Sequence, residues 1–258
     1  MGAPSRRALL ALARVATAAG LLSAWEAGVR AGAIDPFYVS TPSAILVRAA
    51  AWVASGYILP HVTATLAVTL SGLALGVALG AAVGGALAAS PRATRIVLPF
   101  LAAGNAVPRV ILYPLLVLWL GVGAAPRIVL VVTLVFFVAA FNTHAAVTAV
   151  DRDVVHAARV LGARRVQLLW HVYLPAVAVW LLGTVRVTMG FALAGTIVGE
   201  YVGASRGVGV VVAFAQSMFN ARDVLAGLTV LLAMIWAIDA ALRAVERAAS
   251  RWRLVEVI

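Results

Sequence analysis

The sequence has no cysteine, no lysine, and only nine acidic residues in 258. Without cysteine there are no disulfides, thiolate metal sites or thiol nucleophiles. Without lysine there is no P-loop, whose lysine must reach the β- and γ-phosphates, and no Schiff-base chemistry. Any ATP that drives this protein is therefore bound by another chain. Charge is scarce as well: 11% of residues are charged and 64% are hydrophobic. Soluble domains run at roughly 25% and 45–50%.

What is present is apolar sequence in runs of about 20 residues, the length of a helix that crosses a bilayer. Composition and run length predict an all-α polytopic membrane protein with about six transmembrane helices. The spans fall near Ala8–Val29, His61–Ala89, Ile96–Leu120, Arg127–Ala146, Ala176–Gly199 and Val224–Leu242. Residues 1–60 form an N-terminal helix with an outer loop, and residues 61–258 form the core. The first run opens like a signal peptide, with Arg6 and Arg7 ahead of it. Arg14 interrupts it, and Trp25 and Glu26 stand where small residues would mark cleavage, so it reads as a retained span. A Pro-punctuated loop follows, with a short amphipathic helix near Ser43–Ala54.

The formal charge of +11 comes from arginine, placed at the ends of apolar runs. That placement points to membrane lipid and topology rather than to nucleic acid. With the N-terminus inside, the inner segments hold Arg6, Arg7, Arg14, Arg92, Arg95, Arg152, Arg159, Arg164, Arg165, Arg243, Arg247, Arg251 and Arg253. The outer segments hold Arg30, Arg48, Arg127, Arg206 and Arg222. Thirteen against five fits the positive-inside rule with both termini cytoplasmic.

The inner loop at residues 151–175 includes HAARVLGARRVQLLWHVYLP. Asp151 and Asp153 stand where a helix dipole favours acids, Gly162 permits a sharp turn, and Pro175 suits the start of the next span. The reading is two short helices joined at a glycine outside the bilayer. A basic loop that merely obeys the positive-inside rule would have similar composition.

The spacing here resembles the EAA motif of binding-protein-dependent ABC importer permeases. In that motif E-A-A is followed by three residues, a glycine, nine residues and I-x-L-P. Here His156-Ala157-Ala158 is followed by three residues, Gly162, nine residues and Val172-Tyr173-Leu174-Pro175. His156 replaces the acid and Val172 the isoleucine. The resemblance extends over nearly the whole chain. DPFYVSTPSAIL, PLLVLWLGVG and EYVGASRGVGVVV look like the branch importing aliphatic sulfonates, taurine and nitrate, whose relatives import pyrimidine or flavin precursors.

The resemblance implies a type I permease fold in a bacterial cytoplasmic membrane, working as a homodimer. It implies that His156, Ala157, Ala158, Gly162, Ala163, Arg164, Leu174 and Pro175 belong to a coupling element docked on a cytoplasmic ATPase. That ATPase would bind ATP and Mg, this chain would hold no cofactor, and an extracytoplasmic binding protein would deliver the solute.

Arg109 lies between Pro108 and Pro114 in the third span, Arg186 within the fifth, and Glu200 at the fifth span's outer end. Ionisable groups at membrane depth face cavities or partners, so these three are candidates for a translocation path, with arginine favouring an anion. An Arg–Glu structural pair or snorkelling is the other reading. The prolines suggest a broken helix. Gly72, Gly76, Gly80 and Gly84 stand four apart on one helix face, a pattern for close helix packing. Gly203-Ala204-Ser205-Arg206-Gly207 matches G-x-S-x-G, but that nucleophile elbow needs a strand before a helix and here follows a membrane span. The four histidines show no metal-ligand spacing with acids. The rival class, a self-sufficient secondary transporter or channel, would show inverted repeats and midplane ions, and neither is evident.

Overall fold

The computed structural model describes residues 6–249, and every regular element among them is helical. The chain runs α1 (Arg6–Arg30), α2 (Pro42–Ala54), α3 (Leu59–Ala88), α4 (Pro91–Ala106), a 3₁₀ turn (Arg109–Leu112), α5 (Tyr113–Leu120) and α6 (Ala124–Thr148). It continues through α7 (Arg152–Val160), α8 (Arg165–Leu168), a π-helical turn (Leu169–Tyr173), α9 (Leu174–Gly203), α10 (Val208–Ser217) and α11 (Ala221–Ala249). Arg251 and Arg253, counted above among the inner arginines, lie outside the described residues.

Among the described residues, four helices are long and apolar enough to cross a membrane: α3, α6, the 180–203 part of α9 and the 221–244 part of α11. α4 and the segment Arg109–Leu120 are together apolar enough for a fifth span but meet at 77°, the geometry of a broken span or a re-entrant loop, with the break lying between Ala106 and Arg109, at the expected proline Pro108. α1 is the remaining expected span. It is helical over its 25 residues, and Leu12, Val15 and Leu21 on it are exposed. The segment between α9 and α11 holds an element not expected, α10, whose 10 residues are too short to span.

One part of the core is a stack of α3, α6 and α9, and a second cluster joins α2, α9, α10 and α11 through Trp52, Leu193, Val211 and Leu231. The glycine stripe lies against α6, and each glycine is buried. A Cβ on Gly72 would stand 2.5 Å from Val131 Cβ, on Gly76 2.7 Å from Val135 Cβ, and on Gly80 2.5 Å from the Phe136 carbonyl oxygen. On Gly84 it would stand 2.2 Å from the Ala140 carbonyl oxygen. Hydrogen atoms in place of four side chains let the two backbones touch, which is how apolar helices gain contact in lipid, where hydrophobic burial gives no drive. Hydroxyl pairs add polar stitches: Thr69 donates to Thr196 at 2.9 Å, and Asn142 donates to Thr184 at 3.0 Å.

α2 begins at an N-cap, Thr41, whose hydroxyl accepts from Ala44 N–H at 3.3 Å. It buries Ile45, Ala49 and Trp52. Arg48 ties it to α11 through a two-pronged pair with Asp223, both contacts 2.8 Å. That hydrogen-bonded carboxylate raises the Arg48 pKa above its ordinary value.

Candidate functional site

The segment 151–175 forms an outlying knuckle. The Asp151 carboxylate caps α7, accepting from Asp153 N–H at 2.8 Å. α7 ends in a Schellman motif. Ala163 N–H donates to the Ala158 carbonyl at 3.0 Å and Gly162 N–H to the Arg159 carbonyl at 2.9 Å. That motif places its glycine in the left-handed region, and Gly162 has φ +85°. A Cβ there would meet nothing within 4 Å, so the need for glycine is conformational and not steric. Gln167 closes the start of α8 by accepting from Arg164 N–H at 2.8 Å.

Val155 and Leu168 are buried and anchor the knuckle. Its tip is bare: Val160 and Leu161 are each 87% exposed. Beside the tip, Ala158, Gly162, Ala163, Gln167 and His171 border a hollow of about 370 Å³. The His171 ring nitrogen Nδ1 lies 3.0 Å from the Gln167 carbonyl. His156, Ala157, Arg164, Leu174 and Pro175 are exposed as well. The sequence-predicted coupling residues thus share one projecting element that carries apolar side chains into the open.

The three path candidates fall in three separate surroundings. Arg109 sits at the break after α4. Its Nη2 reaches the carbonyl oxygens of Gly104 and Asn105 at 3.3 and 2.6 Å, capping the end of α4, and the side-chain oxygen of Asn105 at 2.7 Å. Its guanidinium carbon stands 4.4 Å from the centre of the Phe137 ring. Arg186 pairs with Asp239 of α11 at 3.1 Å, and both side chains are partly exposed.

Glu200 is enclosed inside the subunit at 2% exposure, where it closes the start of α10. Gly209 N–H donates to its Oε2 and the Thr65 hydroxyl to its Oε1, each at 2.8 Å. Val208 N–H donates to the Thr65 oxygen at 2.9 Å, and Gly207 N–H to His61 Nδ1 at 3.2 Å. Amides that the first turn of α10 cannot satisfy internally are thus met by side chains of α3 and α9. The arginine beside Glu200 is Arg127, which is not among the path candidates, with Nη1 3.9 Å from Oε1. The G-x-S-x-G run is the link from α9 to this capped turn, with no strand before it.

Sequence reasoning did not find Thr65, Gly209 or Asp239. The usable signals were a threonine on an apolar span, glycines spaced after Glu200, and an acid within the last apolar run.

Comparison with known proteins supplies the family. Residues 72–252 match the model of the binding-protein-dependent transport system inner membrane component. The riboflavin transport system permease protein RibX of Chloroflexus aurantiacus is 33% identical over 232 residues, which are 90% of this chain and 87% of that protein. The taurine transport system permease protein TauC of Escherichia coli is 28% identical over 92% of this chain and 88% of its own. The formylaminopyrimidine transport permease protein ThiX of Halalkalibacterium halodurans is 27% identical over 90% of this chain and 92% of its own. A solved structure of the MetNI methionine ABC transporter, in inward-facing conformations, superposes with a TM-score of 0.67 at 22% identity. It covers 74% of this chain and 95% of that one, and shares the fold. With a family model matched over most of its length, this chain belongs to the binding-protein-dependent transport system inner membrane components: it is a multi-pass inner-membrane permease subunit of an ABC importer, with the all-α type I fold.

Proposed function

We propose that the chain forms one half of the translocation path for a small anionic solute of the sulfonate, taurine or nitrate type. A second copy supplies the other half, and an extracytoplasmic binding protein delivers the solute. Each copy docks one cytoplasmic ATPase, which binds ATP and Mg, through the knuckle at 151–175. Both termini lie in the cytoplasm, and membrane lipid surrounds the apolar helices.

The observation that carries this reading is the knuckle itself. A turn that needs a left-handed glycine holds two apolar side chains, Val160 and Leu161, almost fully in the open. Exposed apolar tips beside small residues suit insertion into a partner's groove. Arg109 and Arg186 supply positive charge on the path side of the spans in this reading, and Glu200 supports the fold that positions them.

The test is Gly162→Val in the assembled transporter, since a β-branched residue resists φ +85°. The six helices should insert normally. ATPase recovery on purification should fall about tenfold, or recovery should hold while solute-stimulated hydrolysis and uptake separate. Wild-type values on all three readouts would reduce the segment to a basic loop. The solute has a second reading, because the relative at 33% identity is a riboflavin permease. Uptake of radiolabelled taurine and riboflavin, each offered with its own binding protein, decides between them.

A further inference from the structure

α9 and α11 each carry a charge inside an apolar stretch. Arg186 stands twelve residues, about 18 Å, along α9 from its start at Leu174, and Asp239 interrupts the apolar run of α11 four residues before Arg243, at 1.5 Å per residue. The two groups meet, with Arg186 Nε donating to Asp239 Oδ1 at 3.1 Å. Arg243 donates to the other oxygen of the same carboxylate. One turn further on, Arg247 Nε donates to the Arg243 carbonyl at 3.2 Å. Asp239, Arg243 and Arg247 follow at intervals of four and so share one face of α11.

Among the described residues, this charged face is partly exposed. Arg186 is 43% exposed, Asp239 35% and Arg243 53%. Depth and exposure together limit what can cover it. An arginine can reach lipid phosphate by extending its long side chain, but an aspartate is too short to do so. A carboxylate at this depth therefore needs water or protein beside it. Arginines alone would satisfy the positive-inside rule, so the rule leaves Asp239 unexplained. Asp239 joins guanidinium groups from two helices at one level, and Arg243 and Arg247 continue the row toward the end of α11.

We propose that this face is the wetted wall of the cytoplasmic mouth of the path, and that Arg186, Arg243 and Arg247 hand an oxyanion from the span toward the cytoplasm. The class it fits is a sulfonate, carboxylate or phosphate, whose oxygens accept from guanidinium N–H groups. The proposal rests on the permease reading above and extends it to residues at the exit.

The chain has no cysteine, so single-cysteine labelling is direct. Asp239→Cys and Arg243→Cys are placed in the transporter with its ATPase, in inside-out vesicles. Leu232→Cys, at an exposed apolar position on α11, is the control. Two membrane-impermeant thiol reagents are applied, one carrying a sulfonate and one a quaternary ammonium. We expect both charged positions to react about tenfold faster than Leu232→Cys. At Arg243→Cys the sulfonate reagent should gain about threefold or more over the ammonium one, relative to their rates with a free thiol.

Labelling no faster than the control would place this face against lipid. A disulfide between copies at Asp239→Cys would make it a seam between subunits. Equal relative rates for the two reagents would remove the oxyanion preference. Each of these overturns the proposal. ATPase recovery in the same preparations reads the permease assignment separately, so that assignment can stand while the exit wall fails.

Discussion

Gly162 closes the end of α7 and Gly207 opens α10; both hold positive φ, 85° and 147°, yet their surroundings are opposite. A Cβ on Gly162 meets nothing within 4 Å, whereas one on Gly207 would lie 2.1 Å from the Glu200 carboxyl carbon. At Gly207 the subunit closes on itself: helix amides, a buried acid and Thr65 complete one another. At Gly162 the subunit stops short, leaving bare apolar side chains for something else to cover. The same residue type thus reports internal closure at one end and incompleteness at the other. Damage at Gly207 should appear in the isolated chain, while damage at Gly162 should appear only in the assembled transporter.

The largest effect expected is from Gly207→Ala. The Glu200 carboxylate cannot retreat, because Thr65 and Gly209 hold both of its oxygens. Overpacking and backbone strain together should cost about 3 kcal/mol or more. Thermal unfolding of the purified chain in detergent should show a large fall, or the chain should fail to accumulate. A wild-type melting curve would mean that the turn is not closed around Glu200.

Glu200→Gln comes next. The volume is kept, but one acceptor oxygen becomes a donor facing N–H or O–H groups, and Arg127, 9% exposed, loses its acid. The expected cost is about 2–4 kcal/mol. Substituting Asp for Glu200 should also destabilise, because a side chain one methylene shorter falls short of Gly209 N–H. If Glu200→Gln melted normally while uptake failed, the acid would be a path residue after all, and the comparison would break.

What the sequence made legible follows from range. The helix expected at Ser43–Ala54 forms as Pro42–Ala54, because a cap and a short apolar face are local. The glycine stripe is local too: its spacing names a helix face, though not that α6 covers it. The Schellman turn at Gly162 needs only residues 158 to 163. The Glu200 cap joins residues 135 positions apart, and the Arg48–Asp223 pair joins residues 175 apart. No periodicity announces such partners. α10 was missed for a different reason. Its ten residues are too few for a span and carry no capping side chain of their own, since the cap comes from Thr65 and Glu200.

Gly162→Val gives a smaller effect on the isolated chain. Forcing a β-branched residue into the left-handed region costs about 1–2 kcal/mol locally, and the exposed turn can rearrange without disturbing α3, α6 and α9. The melting curve should stay close to wild type while ATPase recovery falls. A collapse of the isolated chain would erase the contrast with Gly207.

Phe219 sharpens the same contrast. It ends α10 in the Schellman pattern, with Asn220 N–H on the Ala215 carbonyl and Phe219 N–H on the Gln216 carbonyl, but at φ +53° without glycine. Its ring stacks on Phe37 with centroids 6.3 Å apart. Phe219→Gly relieves about 1 kcal/mol of strain and removes a contact of about 0.5–1.5 kcal/mol. The net change in melting should be close to zero, whereas Phe219→Ala, which keeps the strain and loses the ring, should melt lower than Phe219→Gly.

The smallest effect expected is from His156→Ala. His156 is exposed on α7, and no hydrogen bond to its ring is found among the described residues. Alanine favours a helix by about 0.5 kcal/mol over histidine, so the isolated chain should melt unchanged or slightly higher. Docking should also be nearly untouched, with ATPase recovery within about twofold, because the bare apolar tip at Val160 and Leu161 lies a full turn further along. Leu161→Ala should cost more, since it removes most of a side chain that is 87% exposed and free to be buried by a partner. His156→Glu, which restores the acid of the EAA pattern, should dock at least as well as wild type. Measured side by side, a tenfold loss of ATPase for His156→Ala with normal recovery for Leu161→Ala would move the docking face from the tip of the knuckle to the flank of α7. The Gly162 turn would then matter for where it aims that flank rather than for what it exposes.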